Sequence, residues 1–393
     1  MSPARTLEVF RVFLRLGLTS FGGPVAHLGY FRREFVARRG WLSEQDFAEL
    51  VALAQSLPGP ASSQVGFAIG LLRARYAGAL AAWCGFTLPS AALLIAFGFG
   101  AASFNGAIAR GVLHGLQLLA VAVVAQAVLA MARRLTPDLE RAAIALGAAI
   151  LVLASHWPMV QLAAIVSGAA LGWLICRAEP AEPAALLVSA VTARAGWIAW
   201  ALFLLLFAGV FAIPDRAAAP ALALFGACYR SGSLVFGGGH VVLPLLHGAF
   251  VTPGWVSDQA FMSGYGAAQA VPGPLFTFAA YLGSIAAEGP RGIAGALIGL
   301  AGIFLPGLLL LVGALPHWQR LRRHTAVRRC LAGVNAAVVG LLAAALYRPI
   351  WTGSVGTLRD VLLVVLCFAL LVSARVPVLA VALIAAVGGV FIN

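Results

Sequence analysis

Long apolar runs, separated by short polar or arginine-bearing stretches, cover most of the chain. They fall at 7–21, 47–71, 77–100, 107–132, 142–155, 158–176, 196–213, 217–236, 259–286, 292–315, 327–347, 357–373 and 376–392. No segment alternates apolar and polar residues, so the strands of a membrane barrel are not supported. Most runs are long enough to cross about 30 Å of hydrocarbon as helix. The pattern predicts an all-α polytopic membrane protein, with about nine full crossings and four broken elements. The one polar linker of note, 177–195, carries two Glu-Pro steps and divides the chain near its middle.

The two sides of that linker repeat each other. LTSFGGP at 18–24 returns as SLVFGGG at 233–239, and WLSEQDF at 41–47 as WVSDQAF at 255–261. AQSLPGP at 54–60 returns as AQAVPGP at 268–274, and FTLPS at 86–90 as IFLPG at 303–307. HGLQ at 114–117 corresponds to AGVN at 332–335. Matched motifs in the same order mark a duplication. The predicted organisation is a first transmembrane repeat at 1–178, a linker with an extra helix at 179–215, and a second repeat at 216–393.

Arginine placement predicts orientation. The loop at 31–46 holds Arg32, Arg33, Arg38 and Arg39, whereas its copy at 247–258 holds none. The loop at 316–329 holds Arg320, Arg322, Arg323, Arg328 and Arg329, against Arg110 alone in its counterpart at 101–110. Equivalent loops with opposite arginine loads are expected of halves that sit upside down to each other. The extra hydrophobic segment at 196–213 supplies the inverting crossing. A topology with a cytoplasmic N-terminus and a periplasmic C-terminus places 18 arginines inside and 5 outside, leaving out Arg11, Arg15 and Arg230 within apolar stretches.

Glycine and proline interrupt the apolar runs at matched places: Gly22-Gly23-Pro24, Gly237-Gly238-Gly239, Pro58-Gly59-Pro60 and Pro272-Gly273-Pro274. Broken helices survive in a bilayer only where protein or water lines them. The stretch 44–57 is helix-like but only about 21 Å long, too short to cross comfortably. A second helix then starts near Ala61, with an equivalent start at Leu275. Their first-turn N–H groups and positive dipole ends would point into the membrane and form an anion site without lysine. Ser62, Ser63 and Thr277 sit in those turns as hydroxyl donors. The alternative is close helix packing through glycine, or plain kinks.

Arg15 and Arg230 occupy equivalent positions inside apolar runs. An arginine there costs roughly 2.5–3.5 kcal/mol on insertion scales and is expected to have a partner. A bound oxyanion suits its planar fork, and snorkelling to the interface is the alternative. Gln55 and Gln269 precede the proline breaks, and Gln117 pairs with Asn335 between repeats. These are ligand donors or interhelical hydrogen bonds. His27, His240 and His247 lie near the glycine turns, as proton or ligand contacts or as structural donors.

Composition narrows the classes. The 393 residues are 62% hydrophobic and 10% charged, with mean hydropathy +0.98. A soluble globular protein is excluded. The 26 positive charges are all arginine, which removes Walker A phosphate loops and Schiff-base enzymes. The net charge of +13 fits cytoplasmic loops facing anionic lipid, not nucleic acid. The five cysteines form no CxxC pair and read as small buried hydrophobes. No carboxylate pair, triad, HExxH or dinucleotide fingerprint is present. Acidic residues concentrate in loops, which argues against a carboxylate proton relay.

At FGGP…WLSEQDF…AQSLPGP the chain resembles the chromate ion transporter family, and its second copy, FGGGH…WVSDQAF…AQAVPGP, is similar to that family's second half. The resemblance spans essentially the whole chain, as in the family's long two-domain members. It implies a secondary transporter exporting chromate across the bacterial plasma membrane, with inverted halves. The family motifs fall on Phe21 to Pro24, on Gln55 and Pro58 to Pro60, and on their second-half partners. Gly239 stands where the first copy has Pro24, and Ala270 where it has Ser56. The expected substrate-binding set is Arg15, Arg230, Gly22, Gly23, Gly237, Gly238, Gln55, Gln269, Pro58, Gly59, Pro60, Pro272, Gly273, Pro274, Ser62, Ser63 and Thr277. Membrane potential, proton exchange or both would drive export. Expected partners are the oxyanion (chromate, with sulfate as its near-isostere), the bilayer and, in a homodimer, a second copy. No nucleic acid, metal or cofactor is expected. Transport of another solute, or a non-transporting membrane protein, is the alternative; no flavin, haem or redox-cysteine motif supports chromate reduction.

Overall fold

The computed structural model describes residues 3–101, 106–155, 157, 159–177, 191–212, 219–287, 289–373 and 376–392. Most of the polar linker, and residues 213–218, lie outside the described residues. All regular structure among the described residues is helical. The first half comprises α1 (Pro3–Thr19), α2 (Gly23–Phe31) continued by a wider turn over Arg32–Arg38, α3 (Glu44–Ser56), α4 (Ala61–Ala101), α5 (Ala107–Leu135), α6 (Leu139–Ala154) and α7 (Val160–Ile175). Helix α8 (Ala193–Ala212) follows the linker. The second half comprises α9 (Pro220–Ser233), a short turn and α10 (Val242–Phe250), α11 (Asp258–Ala270), a short turn and α12 (Phe278–Ile285), and α13 (Gly292–Ala314). It ends with α14 (Trp318–Leu321), α15 (Thr325–Ala345), the single turn α16 (Thr352–Ser354), α17 (Leu358–Val372) and α18 (Val378–Ile392).

The repeated motifs encode the same local devices. In WLSEQDF, Ser43 caps α3 by accepting from the Asp46 N–H at 3.0 Å; in WVSDQAF, Ser257 caps α11 by accepting from Ala260 at 3.2 Å. Such caps satisfy first-turn donors that have no intrahelical partner. Helix α4 reverses at Ala74 and Arg75, where the backbone leaves helical geometry. Its two arms close against each other through Gly70 and Gly78, where a side chain on either would collide with the other's carbonyl. The hairpin of α12 and α13 closes the same way through Gly283 and Gly295.

Packing within the halves repeats too. A Cβ on Gly85 would lie 2.8 Å from the Phe10 carbonyl, and one on Gly302 the same distance from the Phe225 carbonyl. These glycines and phenylalanines are equivalent positions, so α1 crosses the second arm of α4 as α9 crosses α13. The halves are also interleaved. Helix α5 packs against α17 and α18, and α15 packs against α6 and α7. Gly115 of α5 abuts the Ala385 carbonyl of α18, while Gly333 of α15 abuts the Gly168 carbonyl of α7.

Among the described residues, five helical stretches are long and apolar enough to cross a membrane: Ala61–Gly100, Ala107–Leu135, Ala193–Ala212, Gly292–Leu321 and Thr325–Ser354. Four shorter apolar stretches accompany them. Leu146, Ile150, Val166, Trp173, Leu204, Leu205, Leu297, Leu362, Leu383 and Val387 are exposed on the outside, whereas serine, threonine, glutamine and histidine side chains are buried within. An apolar exterior around buried polar groups is that of a multi-pass membrane protein. Charged pairs gather in the loops. Burial alone would raise the Glu34 carboxyl, but bonds from Arg39 and Arg38 hold it below the usual carboxylate range. Burial opposes the same outcome at Asp138, where bonds from the Arg141 backbone and side chain prevail.

A candidate oxyanion site where four chain breaks meet

Each broken element stops where the sequence removes helical geometry. Helix α3 ends at Ser56; Leu57 is extended, Gly59 takes φ +117°, and α4 starts at Ala61. Helix α11 ends at Ala270; Val271 is extended, Gly273 takes φ +104°, and a short turn starts at Leu275. The diglycine breaks carry positive φ as well: Gly22 +94°, Gly23 +77°, Gly237 +74° and Gly238 +155°. L-residues with side chains are strained there, which is why glycine recurs.

These breaks bond across the halves. The Gly59 N–H donates to the Val235 carbonyl at 2.7 Å, and the Gly273 N–H donates to the Ser20 carbonyl at 2.9 Å. Gly59 and Gly273 are equivalent, and so are Ser20 and Val235. Each proline-glycine-proline break is therefore held by the other half's diglycine loop. Pro24 and its counterpart Gly239 face each other directly, a Cβ on Gly239 lying 3.2 Å from Pro24 Cγ. Gln64 ties the halves further, its Nε2 donating to the Pro58 carbonyl at 3.0 Å and to the Gly307 carbonyl at 2.9 Å.

The first-half residues buried between the two proline-glycine-proline breaks are polar. His27 Nδ1 lies 3.3 Å from Ser62 Oγ in the first turn of α4. The His27 ring stands edge-on to Phe86 at 5.3 Å, next to Thr87. Ser20, His27, Ser62, Ser63, Gln64, Thr87 and Ser90 are all at most 2% exposed. Ser20 Oγ, His27 Nε2, Ser63 Oγ, Gln64 Oε1 and Thr87 Oγ1 are buried with no hydrogen-bond partner. Buried polar atoms are nearly always partnered, so such a cluster calls for an explanation.

The remaining expected residues are dispersed. Thr277 is buried, and its hydroxyl donates to the Pro274 carbonyl at 2.7 Å. His240 Nδ1 lies 2.9 Å from the Tyr265 hydroxyl. Gln269 has a buried Nε2 without a partner and bonds Tyr265. Gln55 accepts from Arg134 Nη2 at 2.6 Å, and Gln117 donates to Ser263 Oγ at 3.0 Å. Asn335 Oδ1 lies toward Gly237. The two equivalent arginines stand in different surroundings. Arg15 is exposed on α1. Arg230 donates to the Val210 carbonyl at 2.8 Å and lies over the Phe211 ring. With Gln161, Ser231, His247 and Arg348 it lines a cavity of about 1030 Å³.

Sequence reading missed two groups. It put acidic residues in loops, yet Glu49 lies inside α3 with only 8% exposure. It accepts from Trp318 Nε1 at 3.0 Å and pairs with Arg322, so the first half's short helix is clamped to the α13–α15 connection. Partners more than 260 residues away leave no local signal. Ser20, Gln64, Thr87 and Ser90 were also passed over, although they sit inside or beside the repeated motifs.

The chain is 27% identical over 357 residues to a chromate transport protein of Cupriavidus metallidurans, covering 88% of this chain and 82% of the relative. It is 27% identical over 346 residues to a chromate transport protein of Pseudomonas aeruginosa, covering 87% and 80%. A probable chromate transport protein of Synechococcus elongatus is also 27% identical, over 358 residues, covering 87% and 84%. No solved structure matches. The model of the chromate transporter family matches residues 7–173 and 222–390, and the chain belongs to that family.

Proposed function

We propose that this protein is a secondary transporter that exports chromate, and competes it with sulfate, through the centre where the four breaks of two inverted repeats meet. The observation that carries the reading is the pair of reciprocal bonds from Gly59 to Val235 and from Gly273 to Ser20. A packed helix bundle does not need to break four helices at matched depths, whereas a substrate path does. The names of the relatives supply the anion, chromate. The site is built for an oxyanion: hydroxyls, an imidazole and first-turn amides are hydrogen-bond donors, and the helix start adds a positive dipole end.

The arginine distribution supports a plasma-membrane orientation with the N-terminus inside. In that orientation the cavity lined by Arg230 and Arg348 opens on the outer side, where it serves as the exit vestibule. The inside-negative potential supplies the drive: at about 2.3 kcal/mol per charge per 100 mV, a departing dianion gains about 4.6 kcal/mol. Proton exchange adds to this or replaces it.

The test is uptake of radiolabelled chromate into everted vesicles held at a positive interior potential. Uptake that rises with potential and falls with added sulfate is expected. Absence of uptake by correctly inserted protein contradicts the reading.

A further inference from the structure

The register of the repeated motifs pairs every residue of the polar cluster with a second-half position. Ser20 pairs with Val235, His27 with Val242, Ser62 with Phe276, Gln64 with Phe278, Thr87 with Phe304 and Ser90 with Gly307. Val235, Val242, Phe276, Phe278 and Phe304 are all at most 1% exposed. Phe276 packs on Phe304 with ring centroids 5.9 Å apart, and Phe278 packs on Phe261, Tyr265 and Tyr281. Only Ser63 keeps a hydroxyl counterpart, Thr277. The Thr277 hydroxyl is bonded to Pro274, while the Ser63 hydroxyl has no partner. The duplicated scaffold thus carries one set of buried polar side chains and one counterpart set that is mostly apolar rings and valines.

We infer that the protein binds one oxyanion per chain, at the first-half chamber alone, with Ser20, His27, Ser63 and Thr87 as its ligands and the second-half chamber as a permanently packed counterpart. This rests on the transport reading above. Three hydroxyls without partners, Ser20 Oγ, Ser63 Oγ and Thr87 Oγ1, belong to first-half elements at the two breaks: Ser63 to the helix that starts after Gly59, Ser20 and Thr87 to the stretches that lie against Gly273. In the tautomer in which the Ser62 hydroxyl donates to His27 Nδ1, the ring proton sits on Nε2 and makes it a further donor. The first-turn amides of α4 complete the set, since Ala61, Ser62 and Ser63 have no intrahelical acceptor. Gln64 is a positioning residue. Its amide bonds to Pro58 and Gly307 hold the start of α4 against the second half. A dianion that accepts from four or more neutral donors explains why so many buried polar atoms lack partners. The second half offers no equivalent. Its Gln269 lies on α11 and bonds Tyr265.

The experiment is equilibrium binding of radiolabelled chromate, and separately of sulfate, to the full chain in lipid nanodiscs. Variants are assayed as the monodisperse fraction. The wild-type protein is expected to bind one anion per chain. Ser63→Ala and Thr87→Val are each expected to weaken binding at least tenfold, and His27→Gln more. Thr277→Val and Gln269→Leu are expected to change it less than twofold. Two anions per chain, or equal losses from Ser63→Ala and Thr277→Val, would overturn the single-chamber assignment and leave transport standing. First-half variants that bind like wild type would do the same. A wild-type protein that binds neither anion while remaining folded would overturn the transport reading, and this inference with it.

Discussion

The two breaks around Gly59 and Gly273 are copies that have diverged in what surrounds them. Both are proline-glycine-proline turns with positive φ, and both donate to the opposite half's diglycine loop. The first-half side chains near them include histidine, serine, threonine and glutamine, where the second-half counterparts are mostly phenylalanine and valine. Duplication preserved the backbone and released the side chains. A symmetric scaffold does not require a symmetric site. The backbone geometry is needed twice, to join the halves, while the ligand chemistry is needed once.

Substitution at the two glycines should break the comparison most sharply. A Cβ on Gly59 would lie 3.0 Å from the Gly307 Cα, which is backbone and cannot move aside, while one on Gly273 would chiefly meet the Ser90 side chain, its Oγ at 2.8 Å. Alanine at a positive φ adds about 1–2 kcal/mol of strain at either place. Gly59→Ala should therefore lose most of the folded, monodisperse protein, with a cost of about 3 kcal/mol or more. Gly273→Ala should lose less, and thermal unfolding in detergent reads the difference. Equal losses would mean that the two junctions carry equal loads.

The clamp on α3 gives the next largest contrast. Glu49 pairs with Arg322 and Trp318, while its counterpart Ser263 accepts from the Gln117 amide and donates to the Gln259 carbonyl within its own helix. Glu49→Gln removes a nearly buried carboxylate from its ion pair with Arg322, and should destabilise the protein by about 3 kcal/mol. Ser263→Ala should cost about 1 kcal/mol, an ordinary hydrogen bond. Double-mutant cycles with Arg322→Gln measure how much of the larger loss belongs to the pair.

Gln64→Leu comes third. It removes two bonds to buried carbonyls and should cost about 2 kcal/mol. Because Gln64 acts through the position of α4, it should lower binding only as far as the helix start moves, whereas Ser63→Ala should lower binding at little cost in stability. A Gln64 variant with normal stability and no binding would make it a ligand instead.

The smallest effect lies in the loops of the first half. Glu34 and Asp138 are both held below the ordinary carboxylate range. Their stabilisation is complete above the unfolded-state value of about 4 and is lost as pH falls through the lower folded values. Melting temperature should stay flat from neutral pH to about 5 and then decline. Each carboxylate should account for less than 1 kcal/mol, as loop ion pairs do. Glu34→Gln and Asp138→Asn should flatten that decline.

The sequence revealed the helical class, the repeats, and the stops at 57–60 and 271–274, because proline and glycine punctuate helices locally. Partner choice was not readable. Nothing local says that the Gly59 N–H bonds the second half's Val235, or that α5 packs on α18, since those contacts depend on how the halves interleave. The equivalence of Arg15 and Arg230 gave no orientation: one faces outward on α1, the other turns to a cavity beside α8. Glu49 escaped because its partners lie in the opposite half. The contrast between the chambers, by comparison, was written in the aligned motifs: ASSQ at 61–64 against LFTF at 275–278. It acquires meaning only once burial shows which of those side chains face inward.

The most direct measurement is a structure of the full chain with bound chromate, locating chromium by its anomalous scattering. One peak per chain, within hydrogen-bonding reach of Ser63 Oγ, Thr87 Oγ1 and His27 Nε2, is the predicted result. A second peak beside Thr277, or a sole peak at Arg230, would contradict the single polar chamber.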